Sequence, residues 1–383
     1  MTDRLKVVLI GSAHPLRGGL AAFNERLVRE YRKRGHHAFI YTFSLQYPSF
    51  LFPGKTQRSL DAAPANLPVY IKVNSINPWN WVRVGLELKN QNPDLVLVKY
   101  WMPFMAPCFS TICRIIKRNH HSRIISIIDN IIPHEKRPGD RFLSGLWVRS
   151  ADGFVAMSHA VMKDLETFDK AKPKIFCPHP LYDNFGDPVP KEVSQKRLGL
   201  NPGFKYILFF GFIRDYKGLD LLLNAFGDKR LSELNIRLLV AGEFYCDPKP
   251  YLEIIARHNL EEKIIMTNDF IPDSKVVNYF CAADLVVQPY KTATQSGVTQ
   301  IAYHFNKPMI ITNAGGLAEF VPDEKVGYIV EPDPTAIATA IIRFYTENRE
   351  AEFSQMASVE KRKYSWGRMV EAIANAAGIR NDE

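Results

Sequence analysis

The loop at residues 211–218 carries the residues with the clearest chemical potential, because two glycines enclose Arg214 and Lys217. An apolar run at 206–210 precedes the loop and helix-like sequence at 219–226 follows it, which predicts strand, tight loop and helix. Glycine lets backbone approach a ligand closely, and a helix N-terminus favours an anion. A guanidinium can bind two phosphate oxygens, and an ammonium is a mobile point charge. We interpret the loop as a diphosphate clamp, with an ordinary turn bearing two solvated cations as the alternative.

Gly18 and Gly19 lie in the first predicted strand-to-helix loop, after the apolar run at residues 7–10. Their spacing does not match the Gly-x-Gly-x-x-Gly fingerprint of dinucleotide-binding domains. The pair could still let a phosphate or sugar approach the N-terminus of the next helix. A plain turn is the equally weighted alternative.

His134 follows the apolar run at residues 123–128, with Asp129 before it and Glu135 directly after it. Its place at the end of a predicted strand would let it face a ligand, because ligands of open α/β sheets bind there. A structural histidine is the alternative. A role for the flanking acids as general base requires geometry that the sequence does not contain.

Ser296 and Gly297 occupy the predicted start of a helix that follows the strand ending near Tyr290. Backbone N–H groups at such a start could bind an anion, and Gln300 would face the same side one turn later. The alternative is an ordinary serine N-cap without a ligand.

The composition predicts a globular protein of more than one domain, with 383 residues, 46% hydrophobic and 23% charged. A net charge of +9 favours anionic partners such as phosphorylated substrates or anionic lipid. Nucleic acid is disfavoured, because basic and aromatic residues are not interleaved as in a stacking surface. Five cysteines without metal-type spacing predict reduced thiols and no metal site. Without a signal-peptide segment, or an apolar run of the ~18 residues that span a bilayer, we expect a cytoplasmic protein.

The densest basic run covers residues 114–123. Trp79, Trp81, Trp101 and Phe104 lie near it in the sequence. Basic and aromatic residues together are typical of proteins that contact a membrane surface. A solvated helix face is the more ordinary alternative.

Short apolar runs alternate with helical segments in both halves of the chain, which predicts α/β domains with doubly wound parallel sheets. Five prolines at residues 178–204 mark the boundary. We therefore predict one domain over 1–185 and a second over 186–362. The predicted strands are residues 7–10, 38–41, 69–71, 94–98, 123–128, 153–157, 206–210, 236–240, 263–266, 285–287 and 309–311.

The chain resembles the retaining, nucleotide-sugar-dependent glycosyltransferases of family GT4, and the resemblance covers nearly its whole length. It implies the GT-B fold, in which two Rossmann-like domains face each other across a cleft. It also implies an acceptor-side first domain, a second domain that binds the nucleotide sugar, and a final helix at 363–383 that crosses back to the first. The segments that carry the resemblance, in family order, are 211–220, 240–243, 269–272, 282–289, 306–310 and 315–319.

The resemblance also implies roles for single residues. Arg214 and Lys217 would hold the donor diphosphate and stabilise the leaving nucleotide without a metal ion. His134 would touch the transferred sugar. The remaining implied donor contacts are the loop of Gly18 and Gly19, the backbone around Ile271 for the base, and the amides of Ser296, Gly297 and Val298 for the phosphates.

Two positions depart from the family pattern. Phe212 stands where the family has arginine directly after the first glycine of the clamp, and the cation follows at Arg214 instead. Ala293 and Ile301 fill the two positions of the family's Glu-x7-Glu motif. Gln300 is then the nearest polar substitute for the glutamate that holds the ribose.

The resemblance implies an enzyme that moves a hexose-type sugar from a UDP- or GDP-sugar to a glycan or lipid-linked acceptor, with retention of configuration. Such enzymes act in cell-surface polysaccharide synthesis. The nucleotide sugar is a co-substrate, and no further cofactor is expected. The alternatives are a non-catalytic GT-B protein that binds a nucleotide sugar or serves as a partner subunit, and, less favoured, a sugar-nucleotide epimerase.

Overall fold

The chain divides into two compact units in the computed structural model, which describes residues 4–48, 56–59, 61–133, 137–294 and 296–379. One unit holds the chain up to Pro180 together with the segment that begins at Tyr364, and the other runs from Leu181 to Lys363. Each unit has a hydrophobic core of its own.

The first unit is built on a parallel sheet that has seven strands among the described residues, in the order β3-β2-β1-β4-β5-β6-β7. Its central strands are buried and, apart from Lys6 on β1 and Lys99 on β4, apolar, as expected for a parallel sheet covered on both faces. The strands are β1 Lys6–Ile10, β2 His37–Leu45, β3 Val69–Asn74, β4 Leu95–Tyr100, β5 Arg123–Ile128, β6 Gly153–Ala156 and β7 Lys174–Phe176.

Helices connect these strands and cover the sheet. Helix α3 shows the local cause, since its apolar side chains recur at helical spacing and are buried against the sheet. The helices are α1 Gly19–Lys33, α2 Pro78–Gln91, α3 Ala106–Ile116, α4 Asp140–Ser150 and α5 His159–Glu166, with 3₁₀ turns at Pro103–Met105 and Lys117–Asn119.

The second unit repeats the plan with a parallel sheet of six strands within the described residues, in the order β10-β9-β8-β11-β12-β13. The strands are β8 Lys205–Phe210, β9 Ile236–Ala241, β10 Ile264–Thr267, β11 Leu285–Gln288, β12 Met309–Thr312 and β13 Gly327–Val330. From β8 the chain adds β9 and β10 on one side and then β11 to β13 on the other side. Ligands of such sheets bind beyond the carboxyl ends of the strands, where the strand order reverses.

The helices of the second unit pack on both faces of its sheet. They are α6 Lys191–Arg197, α7 Leu219–Phe226, α8 Lys249–Arg257, α9 Asp273–Ala282, α10 Gly297–His304, α11 Pro334–Thr346 and α12 Glu350–Glu360. Short 3₁₀ helices lie at Asp215–Lys217, Lys229–Glu233, Leu317–Phe320 and Lys361–Lys363.

The last helix, α13 (Trp366–Ala377), belongs to the first unit. Ser365 caps it by accepting a hydrogen bond from the Arg368 N–H at 3.3 Å. Trp366 packs against Phe23 of α1, with ring centroids 5.1 Å apart. The helix also contacts β5, β6 and β7, so it covers one end of the seven-stranded sheet.

The predicted fold class, two doubly wound parallel sheets, is confirmed. The sequence patterns missed β7 and β13, which are both edge strands. β7 has only three residues and none of them is fully buried, so its apolar signal is weak. Within the described residues, no helix combines the length and apolar character needed to cross a membrane.

Candidate functional site

The clamp loop, residues 211–218, adopts a conformation that requires both of its glycines. Gly211 has φ +100° and Gly218 has φ +67°, a region that other residues rarely adopt. A Cβ atom on Gly218 would lie 1.9 Å from the Pro289 carbonyl oxygen. At Gly218 the clamp loop therefore lies so close to the segment after β11 that a residue with a side chain would not fit.

Lys291 ties the clamp loop to that segment. Its backbone N–H donates to the Tyr216 carbonyl oxygen at 2.7 Å. Its ammonium group lies 2.7 Å from an Asp215 oxygen and 3.0 Å from an Asp220 oxygen. Burial opposes the charge of Lys291, but these two carboxylates outweigh it and raise its pKa. The charge of Lys291 is thus neutralised within the protein, and its role is to hold the clamp loop in place.

The ammonium group of Lys217 lies near Gly211, beside the start of α10. A Cβ atom on Gly211 would lie 3.1 Å from Lys217 Nζ and 3.7 Å from Val298 Cγ2. Among the described residues no carboxylate pairs with this ammonium group. Burial lowers the pKa of Lys217 and the positive charge of Arg214 lowers it further, while Tyr216 opposes the shift. A bound anion would compensate this burial of positive charge.

Arg214, in the same loop, also has no ion-pair partner within the described part of the chain. Its guanidinium carbon lies 5.2 Å from the centroid of the Tyr245 ring. The loop therefore presents two cations that no acid of the described residues neutralises, and the N–H donors of the Arg214 guanidinium are available to a ligand.

The start of α10 supplies the third part of the site. Ser296 Oγ accepts from the Val298 N–H at 3.2 Å and lies 3.2 Å from the Tyr290 hydroxyl group. This is the N-cap that we predicted as the alternative to anion binding, and the two are compatible, since one cap satisfies only one of the free N–H groups. Gly297 lies against the Tyr182 ring, because a Cβ atom on Gly297 would be 2.9 Å from Tyr182 Cε2.

Gln300, one turn into α10, is only 1% exposed, and its Oε1 atom has no hydrogen-bond partner among the described residues. An unsatisfied buried polar group costs about 1–3 kcal/mol. A hydroxyl or N–H group of a ligand could satisfy it.

Ile271 is buried directly before α9. Its neighbour Phe270 lies with its ring 6.1 Å from the Phe212 ring, and Phe212 stacks on Tyr245 at 4.3 Å. The segment around Ile271 is therefore brought beside the clamp loop by an aromatic cluster of Phe212, Tyr245 and Phe270.

Gly18 and Gly19 lie in the first unit. Gly18 has φ +100° and precedes α1, where its carbonyl oxygen accepts from Ala21 N at 3.0 Å and Ala22 N at 3.1 Å. His134 lies outside the described residues, so its predicted contact with the sugar stays a prediction.

A buried cluster that the sequence analysis did not identify lies in the first unit. Lys99, fully buried on β4, has its ammonium 3.0 Å from an Asp129 oxygen and 3.3 Å from the centroid of the Phe23 ring. His179 packs edge-on against Phe23 at 5.1 Å, and burial together with the Lys99 charge lowers its pKa to about 3. The available signal was a lysine at the end of the apolar run of β4.

Tyr245 and Tyr290 were also missed as partners of the clamp cations, because aromatic residues carry no such signal in a sequence. The described residues contain no group of three His, Cys, Asp or Glu side chains placed to hold a metal ion. All five cysteines are free, and four are buried.

Known protein families match both units. Residues 204–347 match the family described as "Glycosyl transferases group 1", and residues 17–178 match "Glycosyltransferase Family 4". A lipopolysaccharide 1,2-N-acetylglucosaminetransferase of Salmonella typhimurium is 28% identical over 187 residues, 46% of this chain and 49% of that protein. A D-inositol 3-phosphate glycosyltransferase of Thermobifida fusca is 24% identical over 390 aligned positions, 94% of this chain and 88% of that protein. The chain spans about half the length of several curated relatives that it matches.

Solved structures share the fold. HepE of Anabaena, in complex with UDP and glucose, aligns with a TM-score of 0.75 at 16% identity, over 97% of this chain and 99% of that one. WaaG, a glycosyltransferase involved in lipopolysaccharide biosynthesis, aligns with a TM-score of 0.70 at 16% identity, over 96% and 99% of the two chains. With two matched family segments and two parallel Rossmann-like sheets, this chain belongs to glycosyltransferase family 4, the glycosyl transferases group 1, and has the GT-B fold.

Proposed function

We propose that this protein is a retaining glycosyltransferase that moves a hexose-type sugar from a UDP- or GDP-sugar to a glycan or lipid-linked acceptor. The observation that carries the proposal is the pair Arg214 and Lys217, two cations of one tight loop without a carboxylate partner in the described residues. A nucleoside diphosphate is the leaving group that such a pair fits.

In the proposed reaction the bond between the anomeric carbon and the diphosphate oxygen breaks, and the acceptor oxygen bonds to the same face of that carbon. The acceptor proton passes to the departing diphosphate. Arg214 and Lys217 stabilise the negative charge that develops on this group, which lowers the barrier where charge changes most. We propose that these two protein cations make a metal ion unnecessary for this step.

UDP is the first nucleotide to test, because the structure of HepE, which has a related fold, was solved with UDP and with UDP-glucose. We propose that Gln300 contacts the ribose of the donor. Its buried, unsatisfied Oε1 supports this role. Ala293 and Ile301, at the motif positions where the family has glutamates, are buried and apolar.

We propose in addition that the first unit contacts the inner membrane surface when the acceptor is lipid-linked. Helix α2 supports this, because Trp79, Val82 and Leu86 recur along one exposed face, with Trp79 85% exposed and Arg83 beside them. In the predicted basic run, by contrast, Lys117 pairs with Asp152 at 2.5 Å. Flotation with anionic vesicles should be lost in Trp79→Ser if α2 makes the contact, and retained if it does not.

Donor binding tests the central proposal. UDP, GDP, ADP and their glucose conjugates are screened by thermal shift on the wild type and on Arg214→Ala/Lys217→Ala, since a ligand that binds the native state raises its melting temperature. The matched control, Lys249→Ala/Arg257→Ala, removes two exposed cations from α8 of the same unit. One nucleotide should stabilise the wild type and the control, but not the clamp variant. Equal shifts in all three proteins would reject the clamp.

A non-catalytic nucleotide-sugar-binding protein is the second candidate. The observation that favours it is the replacement of the acidic motif by Ala293 and Ile301. Release of free nucleoside diphosphate from the stabilising donor, with and without acceptor glycans, separates the two functions. Donor binding without any release would favour the second.

A further inference from the structure

Each clamp cation lies over the ring of a tyrosine. The Arg214 guanidinium carbon is 5.2 Å from the Tyr245 ring centroid, and Lys217 Nζ is 5.2 Å from that of Tyr290. Both distances are within the range of cation–π attraction. We propose that Tyr245 and Tyr290 are positioning residues that orient Arg214 and Lys217 towards a diphosphate without neutralising them. This inference rests on the proposed function.

Tyr245 is fixed by an extension of the β8–β9 ladder. The Ile213 N–H donates to the Glu243 carbonyl oxygen at 2.9 Å, and the Tyr245 N–H donates to the Ile213 carbonyl oxygen at 2.9 Å. Because side chains alternate along a strand, Ile213 and Phe244 face the core while Arg214 and Tyr245 share the other face. Phe212, also on that face, stacks on Tyr245 and limits its rotation.

Tyr290 is fixed by different contacts. Its ring is buried, its hydroxyl group lies 3.2 Å from Ser296 Oγ at the start of α10, and the Tyr216 ring meets it edge-on at 6.4 Å. The ring below Lys217 is thus held by the same helix start that borders the clamp loop. Movement of this ring would move the ammonium group relative to α10.

An aromatic ring suits this task better than a carboxylate. A carboxylate would hold the cation but would also compete with the phosphate oxygens for its charge, as Asp215 and Asp220 do at Lys291. A ring attracts the cation through its quadrupole and carries no net charge. Arg343, which lies 4.7 Å from the Tyr328 ring centroid, illustrates the occupied case, because it also pairs with Glu324 and Glu347.

A double-mutant cycle tests the inference. Affinity for the nucleoside diphosphate with the largest thermal shift among UDP, GDP and ADP is measured by calorimetry for wild type, Tyr245→Leu, Arg214→Ala and the combined variant. Tyr245→Leu should bind roughly three- to thirtyfold more weakly, the loss expected for a cation–π contact. In the Arg214→Ala background the same change should have no further effect. Tyr245→Phe should restore affinity, because it keeps the ring. The same cycle is run for Tyr290 and Lys217.

Controls separate the possible outcomes. Tyr328→Leu removes a ring under an occupied cation and should leave affinity unchanged. If Arg214→Ala weakens binding but Tyr245→Leu does not, the positioning role is rejected and the proposed function stands. Equal losses from Tyr245→Leu with and without Arg214 would mean that the ring contacts the ligand directly, which also rejects it. If no nucleotide binds the wild type, or if Arg214→Ala has no effect, the clamp itself is rejected. Tyr245 is half-buried, so its variants test the inference even if those of buried Tyr290 do not fold.

Discussion

Lys99 and Lys217 form an instructive pair, one in each unit. Each lies over an aromatic ring, Phe23 at 3.3 Å and Tyr290 at 5.2 Å, and burial lowers the pKa of both. They differ in charge balance. Asp129 lies 3.0 Å from the Lys99 ammonium, whereas no carboxylate of the described residues pairs with Lys217.

The difference separates a structural charge from one prepared for a ligand. Lys99 and Asp129 form an ion pair, and removing either partner leaves an uncompensated charge in the interior. Lys217 is desolvated, and no carboxylate of the described residues compensates its charge, so a bound anion can provide the missing negative charge. Lys99 should therefore govern stability, and Lys217 should govern binding and turnover.

The largest expected effect is on the paired charge. Asp129→Asn should lower the free energy of unfolding by about 3–5 kcal/mol, because Lys99 stays buried without its counterion. Lys99→Met/Asp129→Asn should recover most of this loss. Chemical denaturation measures it, with Glu253→Gln, at an exposed pair with Lys249, as a control expected to change little. A small effect of Asp129→Asn would erase the contrast.

Lys217→Met should do the opposite. Loss of a charge that stabilises the departing diphosphate should reduce kcat by about 100- to 1,000-fold, the range found for single electrostatic contacts in transition states. The melting temperature without ligand should stay the same or rise, because the substitution removes a partly buried charge that no described carboxylate pairs with. Turnover assays and thermal melts of the same preparation measure both. A large fall in melting temperature with retained turnover would make Lys217 a second structural lysine.

The sequence indicates most of the surroundings of Lys217, but for Lys99 it shows only a lysine at the end of an apolar run, without its partners. The clamp glycines, the two cations and the following helix are adjacent in the chain, so local patterns predict them. Lys99, Phe23, Asp129 and His179 are far apart in sequence and meet only in the folded sheet. The aromatic contacts of the clamp are hidden for the same reason, since Tyr245 and Tyr290 come from other strand ends than Arg214 and Lys217.

The pH dependence of donor binding sharpens the role of Lys217. Its pKa is lowered in the free protein by burial, and a bound diphosphate should raise it. Binding is therefore strongest at pH values below the free-protein pKa, where Lys217 is already charged, and weakens as the pH rises through it, by at most about tenfold per pH unit. Lys217→Arg should remove this weakening, because a guanidinium stays charged. Calorimetry over a series of pH values measures it, and an unchanged slope in Lys217→Arg would assign the titration to another group.

The smallest effect concerns His179, beside the Lys99 pair. Burial and the Lys99 charge lower its pKa to about 3, against 6.5 for an ordinary histidine. Between these values the unfolded chain binds the proton and the folded chain does not, so stability falls as the pH drops from 6.5 towards 3, by at most about 1.4 kcal/mol per pH unit. His179→Gln, which cannot titrate, should flatten denaturation midpoints measured between pH 7 and 5. Because removing the Lys99 charge should raise the pKa of His179, the slope should level off at a higher pH in Lys99→Met/Asp129→Asn, in measurements extended below pH 5. An unaltered levelling-off pH in that variant would mean that burial alone keeps His179 neutral.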